Sequence, residues 1–501
     1  MVQIKIWNIY VQLTIILSLA FNAQSSESCV KTGFPINLEG PIDDTFLLSF
    51  DIYASTVDLS EAYLMSGYTN DSVMNNVIPK SMIPFIAVFE DGNILRWIGF
   101  YDLNRQSFSN AIFFNSGSKI AAVNNENNMH LLIVDAMTGV KLKQFEDTNE
   151  IFLPVEYQQI AEKNGVLVFS LQTTRDQYTV LLLNTTDYMF YYSRLLKSSG
   201  RATSIAFEKD ATQKFYAGGF IQLSSGTQYA IITIYDFQAN VKKKIDLLQI
   251  EDDLISYNST SVKNMLVLPK TFQTNIMPID TIMGSIQRQS YENGNYNIEL
   301  FLFQVTYNVQ DNTVIGENSF VKAIQTINSL VDIILIIYKE DKLFLVAFDQ
   351  QDDIQVITVD SNYSVSVIVF SFQITLDSKY TLAKYSQKYG YLVGATSRFM
   401  QFKSYKYTTN NSFPFITSIE QDYRCNQASY QTGFLQLIDV QGMLSIADQN
   451  QEHVQGLEVL TTSTIAYGFL TDPKLVSLSC DGLENYYDIL PNSLEGKVIS
   501  V

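Results

Sequence analysis

The chain has 501 residues, 47% of them hydrophobic, with 33 lysines and arginines against 51 aspartates and glutamates and only two histidines. Its formal net charge of -18 predicts a surface that repels nucleic acid and anionic lipid, so both are excluded as partners. The acids are spread along the chain, which indicates a solvating surface rather than a calcium site.

Residues 1–23 have the layout of a cleaved secretory signal. Lys5 is their only charged residue, and the apolar run from Ile9 to Phe21 is short for a membrane span. Cleavage after Ala20 or Ala23 removes Lys5 and takes the charge from -18 to about -19. An uncleaved anchor is the alternative.

No later stretch reaches the roughly 18 to 20 apolar residues of a membrane helix. We therefore predict no membrane insertion, and a location outside the cell or in the lumen of a secretory vesicle. Five Asn-x-Ser/Thr triplets agree with that route and are candidate glycosylation sites: Asn70, Asn184, Asn258, Asn362 and Asn410.

Three widely separated cysteines, Cys29, Cys425 and Cys480, are disulfide candidates, and one bridge with one free thiol is the simplest arrangement. A bridge joins either the two C-terminal cysteines or the two ends of the chain. No Cys-x-x-Cys motif for a metal or a redox centre is present.

Ile, Val, Tyr, Phe and Thr dominate short runs bounded by Asn, Asp, Gly and Ser, and helical periodicity is scarce, so the chain is predicted to be nearly all β. A unit of a short apolar strand followed by a hairpin recurs about seven times. The predicted first strands of this unit are Ala62–Tyr68, Lys119–Val123, Val166–Leu171, Phe215–Ile221, Thr281–Ile286, Asp332–Tyr338 and Tyr391–Ser397.

These runs start 47 to 66 residues apart. That spacing fits propeller blades with variable loops better than the roughly 8-to-12-residue rhythm of a sandwich. We therefore predict a single β-propeller over residues 24–501, with seven blades favoured. Six blades, eight blades, a sandwich and two small propellers are the alternatives.

Local sequence features support the prediction of a β-propeller. The segments Phe85–Phe100 and Phe434–Asp448 each have the pattern of a hairpin. Gly218, Gly219 and Gly394 lie inside predicted strands, where they allow neighbouring backbones to approach closely near a central channel.

The stretch HLLIVDAMTGVKLKQF, His130 to Phe145, predicts a tight turn between two strands. Asp135 can accept backbone hydrogen bonds from the following residues, and Gly139 suits a position of positive φ. It is not a phosphate loop, because the Gly-x-x-x-x-Gly-Lys-Ser/Thr pattern is missing.

The positions of Asp135, Thr138 and Gly139 resemble the repeat of quinoprotein-like and WD-repeat-like β-propellers, which implies a propeller shape. The resemblance covers one hairpin, and Lys143 stands where that family has Trp. The vicinal cysteine pair of its quinone-binding members is absent, so we expect no quinone and no other cofactor.

Catalytic motifs are scarce. His130 and His453 are the only histidines, no Gly-x-Ser-x-Gly elbow is present, and neither a zinc nor a calcium motif occurs, so no catalytic or metal-binding residues are assigned. Trp97 fits a packing role in a strand better than a sugar-stacking role. Paired carboxylates remain as the chemistry that a propeller channel can host for glycoside hydrolysis.

Two polar segments rich in tyrosine, Gln287–Asn297 and Tyr405–Phe413, are predicted to be recognition loops. We therefore favour a secreted, non-catalytic scaffold that recognises a protein or a glycan through a loop face. A secreted glycoside hydrolase with two channel-mouth carboxylates and a packing protein of secretory granules are the alternatives.

Overall fold

The computed structural model describes most of the chain between Ile36 and Asp439, together with short strands beyond it. The described residues are 36–38, 43–55, 60–71, 82–90, 94–101, 108, 110–124, 127–152, 160–172, 177–208, 214–222, 226–247, 258–268, 279–292, 295–309, 313–326, 330–350, 353–370, 373–374, 379–402, 405–419, 431–433, 435–439, 444–445, 453–458, 467–470 and 498–500.

The described strands form seven successive antiparallel units, which we call meanders 1 to 7. A short strand, β1 (Ile36–Asn37), precedes them. Meander 1 contains β2 (Thr45–Ala54), β3 (Glu61–Thr69), β4 (Ile83–Glu90) and β5 (Ile94–Tyr101); meander 2 contains β6 (Asn110–Phe114), β7 (Lys119–Asn124), β8 (Asn127–Asp135) and β9 (Lys141–Phe152).

Meanders 3 and 4 share one long strand. Meander 3 contains β10 (Ile160–Lys163), β11 (Val166–Gln172), β12 (Gln177–Asn184) and the first half of β13 (Phe190–Phe207). Meander 4 contains the second half of β13 with β14 (Lys214–Gln222), β15 (Gln228–Asp236) and β16 (Val241–Leu247).

The remaining meanders have the same antiparallel order. Meander 5 contains β17 (Asn258–Val267), β18 (Ile279–Glu292), β19 (Asn295–Asn308) and β20 (Thr313–Thr326); meander 6 contains β21 (Leu330–Lys339), β22 (Lys342–Asp349), β23 (Ile354–Val359) and β24 (Val365–Phe370). Meander 7 contains β26 (Lys379–Ser386) as its first strand, β27 (Gly390–Phe402) and β28 (Tyr405–Ser418); β1 pairs with β28, and the short β25 (Gln373–Ile374) pairs with β27.

Hydrogen bonds connect the described strands into five sheets rather than the seven that the predicted blade count requires. Meanders 1, 2, 6 and 7 each have their own sheet, while meanders 3, 4 and 5 lie in one 14-stranded sheet. The long β13 joins meanders 3 and 4, and a single parallel bridge between Gln228 and Ser259 joins meanders 4 and 5.

The meanders close into a ring. The first strand of each meander contacts the first strand of the next, and β26 of meander 7 returns to β2 of meander 1. Asp51 contributes to two of these junctions: its Oδ2 accepts a hydrogen bond from the Phe113 backbone N–H at 2.9 Å, and its Oδ1 lies 3.1 Å from the Lys384 ammonium. The chain is therefore all β and forms a single β-propeller.

The core lies between the meanders. Each of seven hydrophobic clusters in the described residues combines side chains of two neighbouring meanders. In the cluster that closes the ring, Phe50 and Phe85 of meander 1 pack with Leu392 and Ile416 of meander 7. Burial of apolar area at every junction, closure included, stabilises the ring as a whole.

The C-terminal strands add to the outer edges of the meanders. These strands are β29 (Gln431–Gly433), β30 (Leu435–Asp439), β31 (Leu444–Ser445), β32 (His453–Glu458), β33 (Tyr467–Leu470) and β34 (Val498–Ser500). In chain order, β29 to β33 pair antiparallel with the outer strands of meanders 6, 5, 4, 3 and 1, and β34 pairs with β33. We call β29 to β34 the C-terminal edge strands.

These strands overturn one prediction. The segment Phe434–Asp448 was predicted to be a hairpin, but β30 pairs with β20 and β31 with β16, not with each other. An extended segment gains more from the free edge of a large sheet than from an isolated two-stranded hairpin, which is marginal in water.

Most of the runs that were predicted to be the first strands of the repeat are the second strands of their meanders. Six of the seven runs lie in β3, β7, β11, β14, β18 and β27, and the run Asp332–Tyr338 lies in the first strand β21. A second strand is paired on both sides and covered on both faces, as the almost fully buried β3 illustrates. It therefore carries the most continuous apolar run of its meander.

The two predicted recognition loops are also corrected. Gln287–Asn297 belongs largely to the paired strands β18 and β19, and Tyr405–Phe413 lies in β28. The backbones of these segments pair with neighbouring strands, so the segments are parts of strands rather than loops.

Candidate functional site

A cleft of about 270 Å³ opens between meanders 5 and 6. It lies at the end of the meanders that carries the turn from β21 to β22 and the turn from β23 to β24. We call it the 5/6 cleft. Inter-unit clefts of this kind are frequent ligand sites because two rigid elements hold the opposing walls in place.

The 5/6 cleft has an apolar floor and a polar rim. The floor consists of Leu268, Met283, Leu343 and Val359, which are all at most 8% exposed. The other lining residues are polar or aromatic, namely Thr281, Gln304, Thr306, Tyr338, Asp341, Asp360, Ser361 and Tyr363. A ligand with an apolar body and a polar end matches this distribution.

Tyr338 and Asp341 form one side of the rim. The Tyr338 hydroxyl donates a hydrogen bond to Asp341 Oδ1 at 3.2 Å. Burial, supported by that hydrogen bond, raises the pKa of Tyr338 to about 12. Tyr338 is therefore a neutral donor at physiological pH, and Asp341, in a turn with a φ of 59°, is exposed to solvent.

Tyr363 and Asp360 form the other side. Asp360 Oδ1 accepts hydrogen bonds from the backbone N–H groups of Asn362 and Ser364, each at 2.8 Å, which holds the β23–β24 turn. Tyr363 has a φ of 60° and is 36% exposed. Its hydroxyl lies 3.3 Å from Gln304 Oε1 of meander 5.

Side chains of meander 5 orient the Tyr363 ring. Its ring packs edge-on against Phe320 at 5.0 Å between centroids, and the Lys322 ammonium lies 5.0 Å from the Tyr363 ring. These contacts position an aromatic ring at the rim of the 5/6 cleft before any ligand binds.

A second cluster contains buried carboxylates between meanders 4 and 5. Glu208 is 0% exposed and Asp280 2% exposed, and the Tyr216 hydroxyl donates a hydrogen bond to Asp280 Oδ2. Burial, reinforced by Asp280 and Glu208, raises the pKa of Tyr216, and burial lowers the pKa of Lys214 against the opposing effect of Glu208 and Asp280. Both carboxylates are too deeply buried to contact a substrate, so this cluster joins two meanders.

A third cluster joins meanders 7 and 1. Glu61, 3% exposed, accepts hydrogen bonds at 2.6 Å from the hydroxyls of Tyr63 and Ser386. Its other oxygen accepts the Lys388 backbone N–H at 3.3 Å. Both oxygens of this carboxylate therefore accept hydrogen bonds at the junction that closes the ring.

The predicted glycosylation sites are dispersed. Asn362 and Asn410 are exposed, whereas Asn70 and Asn184 are partly buried, and the Oδ1 atoms of these two accept backbone hydrogen bonds. Asn258 lies in β17. Asn362 belongs to the turn that holds Asp360 and Tyr363, so it adjoins the 5/6 cleft. Glycosylation itself stays a prediction.

The other predicted residues have structural surroundings or fall outside the described residues. Trp97 is 3% exposed and donates a hydrogen bond from Nε1 to the Ala136 carbonyl, which excludes a sugar-stacking role. His130 is buried within β8, 3.7 Å from Glu146. The signal segment and the three disulfide candidates, Cys29, Cys425 and Cys480, lie outside the described residues.

The turn motif lies between β8 and β9. Asp135 Oδ1 accepts hydrogen bonds from Thr138 through its backbone N–H and its hydroxyl, each at 2.8 Å, and Gly139 has a φ of 71°. The Thr138 hydroxyl bond chiefly lowers the pKa of Asp135. This turn and the 5/6 cleft belong to different meanders.

The 5/6 cleft was not predicted from the sequence. Its rim combines residues of five strands and turns, and Tyr363 and Asp341 have no motif around them. Asp360 is a signal that could have indicated this region, because it starts a turn of the same kind as Asp135.

Within the described ranges, no group of three or more His, Cys, Asp or Glu side chains is placed to hold a metal ion. The same residues include no helix long and apolar enough to cross a membrane.

No protein-family model matches the sequence, and no curated protein sequence matches it. Among solved structures, the chain is similar to the C-terminal WD40 domain of Sif2, with 10% identity, a TM-score of 0.37, and coverage of 76% of this chain and 98% of that one. It is similar to the Dos1 propeller (10% identity, TM-score 0.38, 78% and 96%) and to Sqt1 of Saccharomyces cerevisiae (10%, 0.38, 77% and 99%). The closed ring of meanders is itself the evidence for the propeller.

Proposed function

We propose that this protein is a secreted, non-catalytic recognition scaffold that binds a protein partner through the 5/6 cleft. The observation that carries the proposal is the exposed, pre-oriented Tyr363 at the rim of a cleft with an apolar floor. Tyrosine in such a position supplies a large contact area at a low cost in conformational entropy.

The carboxylates favour recognition over glycoside hydrolysis. A hydrolase needs an acid and a nucleophile or base that both reach the substrate, with separations of roughly 5 to 10 Å. Glu61, Glu208 and Asp280 are buried between meanders. These groups therefore serve the architecture of the propeller.

We also propose that meanders 1 to 7 are seven blades. The seven hydrophobic clusters support this count, because each lies between one pair of neighbouring meanders. Hydrogen bonds join meanders 3, 4 and 5 into one sheet. A hydrophobic cluster nevertheless lies between each neighbouring pair of them, as it does between the other meanders.

Cross-linking of the native material, followed by mass spectrometry, tests the function. We expect partner peptides linked near the 5/6 cleft, and about a tenfold lower recovery of that partner with Tyr363→Ala, as for a central aromatic contact. Met189→Ala is the matched control, because Met189 is 38% exposed in the corresponding turn of meander 3 and lies outside the cleft.

Partner peptides linked only to other surfaces, with recovery unchanged by Tyr363→Ala, would contradict the proposal. Cleavage of an oligosaccharide by the purified chain would favour the hydrolase. The mature N-terminus tests secretion: Phe21 or Gln24 is expected as the first residue, and an intact Met1 speaks against a cleaved signal.

A further inference from the structure

We infer that the 5/6 cleft binds a cationic side chain, a lysine or an arginine, of the protein partner. This inference rests on the proposed function and adds the chemistry that the cleft selects. It is carried by the volume of the cleft, by its apolar floor and by the aromatic and acidic groups of its rim.

The volume suits one long side chain. At about 270 Å³, the cleft is at the lower limit of the roughly 300 to 1,000 Å³ of drug-sized ligand sites. Its buried floor, which includes Leu268, Met283 and Leu343, matches the aliphatic stem of lysine or arginine. Such side chains bury their stem on apolar surface and keep the charged group in a polar environment.

The rim matches the charged group. The exposed Asp341 carries a carboxylate, and Asp360 adds a second on the opposite side. Tyr338 and Tyr363 present aromatic rings, whose faces attract cations. A cation in the cleft therefore meets carboxylates and rings together, and arginine can also bind a carboxylate through two hydrogen bonds.

One of these two rings, that of Tyr363, already has an ammonium beside it. Lys322 Nζ lies 5.0 Å from the Tyr363 ring and 5.3 Å from the Phe320 ring, on meander 5. The formal charge of -18 attracts a basic partner over longer distances.

A neutral saccharide is the competing ligand, because it also combines an apolar face with polar groups. A cationic side chain and a neutral saccharide differ in whether their binding needs the negative charge of the rim carboxylates. Asp341→Asn and Asp360→Asn preserve a side-chain oxygen as acceptor, including the one that holds the β23–β24 turn, and remove only the charge. A cation loses affinity in these variants, whereas a saccharide that accepts or donates neutral hydrogen bonds loses little.

The experiment uses the full secreted chain and immobilised peptides of the form Gly-Ser-X-Ser-Gly with a photoreactive group. X is arginine, lysine, citrulline or norleucine, and a neutral mannose oligosaccharide is the second probe. We expect the arginine and lysine peptides to cross-link to cleft residues, and each Asp→Asn variant to weaken their binding about tenfold, as for a charge-assisted contact. Asp187→Asn is the matched control, since Asp187 holds an exposed turn in meander 3.

The outcomes separate the two proposals. Equal binding of citrulline and arginine peptides in the cleft, unchanged by Asp341→Asn, overturns the cationic side chain and leaves the scaffold function standing. Binding of the oligosaccharide in place of the peptides overturns the cationic side chain in favour of a glycan. If every probe misses the cleft and Tyr363→Ala leaves recovery of the native partner unchanged, both proposals fail.

Discussion

Four hairpin turns, in meanders 2, 3, 4 and 6, have the same hydrogen-bond arrangement but are formed by different residues. In each, an Asp or Asn side chain accepts a backbone N–H two residues later; these residues are Asp135, Asn184, Asp236 and Asp360. Each turn also has one residue of positive φ, which is Gly139, Tyr188, Ala239 or Tyr363. Because only the first of these is a glycine, the sequence analysis identified one of these four turns.

The crowding predicted at the strand glycines is strongest at Gly219. A Cβ atom there would lie 1.9 Å from the Arg201 carbonyl oxygen of the neighbouring strand β13, which a backbone atom cannot relieve by changing a rotamer. We expect Gly219→Ala to lower the free energy of unfolding by about 1 to 3 kcal/mol, the range for overpacking.

Denaturant titration measures this change. Gly226→Ala is the comparison, because its Cβ would meet only Gln222 Nε2, at an ordinary contact distance of 3.9 Å, while its φ is 89°. We expect about 1 to 2 kcal/mol there, which is the cost of the left-handed backbone conformation for a residue with a Cβ. An equal loss in both variants would mean that the contact with Arg201 is relieved by a small backbone shift.

The C-terminal edge strands show how an element is determined by its surroundings. About a hundred residues follow Ser397, and an eighth blade was one alternative for them. Residues 405–418 instead complete meander 7, and β29 to β33 pair with the outer strands of meanders 6, 5, 4, 3 and 1. An outer strand presents unpaired N–H and C=O groups, and an extended segment of the same chain satisfies them.

Deletion of residues 431–501 tests this role. We expect faster hydrogen exchange in β20, β16 and β24, which pair with β30, β31 and β29, and a greater tendency to aggregate through the exposed edges. Exchange in β22, which is paired on both sides within meander 6, is the internal control. Unchanged exchange at the outer strands would show that the edge strands contribute no protection.

At the scale of the whole molecule, stability depends on junctions between meanders, and buried tyrosines occupy several of them. Burial raises the pKa of Tyr63, Tyr178, Tyr216 and Tyr235 above the ordinary value of 10.0. In the unfolded chain these hydroxyls ionise near that value, whereas the folded chain keeps them protonated. The folded state therefore binds protons more tightly above pH 10.

We therefore expect stability to be maintained below about pH 10 and to fall as the pH rises above it, because ionisation favours the unfolded chain. Denaturant titration at a series of pH values measures the effect. Tyr216→Phe removes one ionisable group at the junction of meanders 4 and 5, so we expect a shallower decline despite the lost bond to Asp280. An identical decline in this variant would assign the effect to other groups.

The amino-acid sequence alone determined the all-β class, the repeat and the propeller, because these depend on local alternation, turn residues and regular spacing of apolar runs. It did not determine which strand of each unit is innermost, since continuous burial marks the second strand and not the first. Only the tertiary structure decided that the polar tyrosine segments are parts of strands, that the C-terminal residues pair with distant edges, and that Tyr363, Gln304 and Asp341 meet at one cleft. These features depend on contacts between residues far apart in the chain, and no local pattern encodes such contacts.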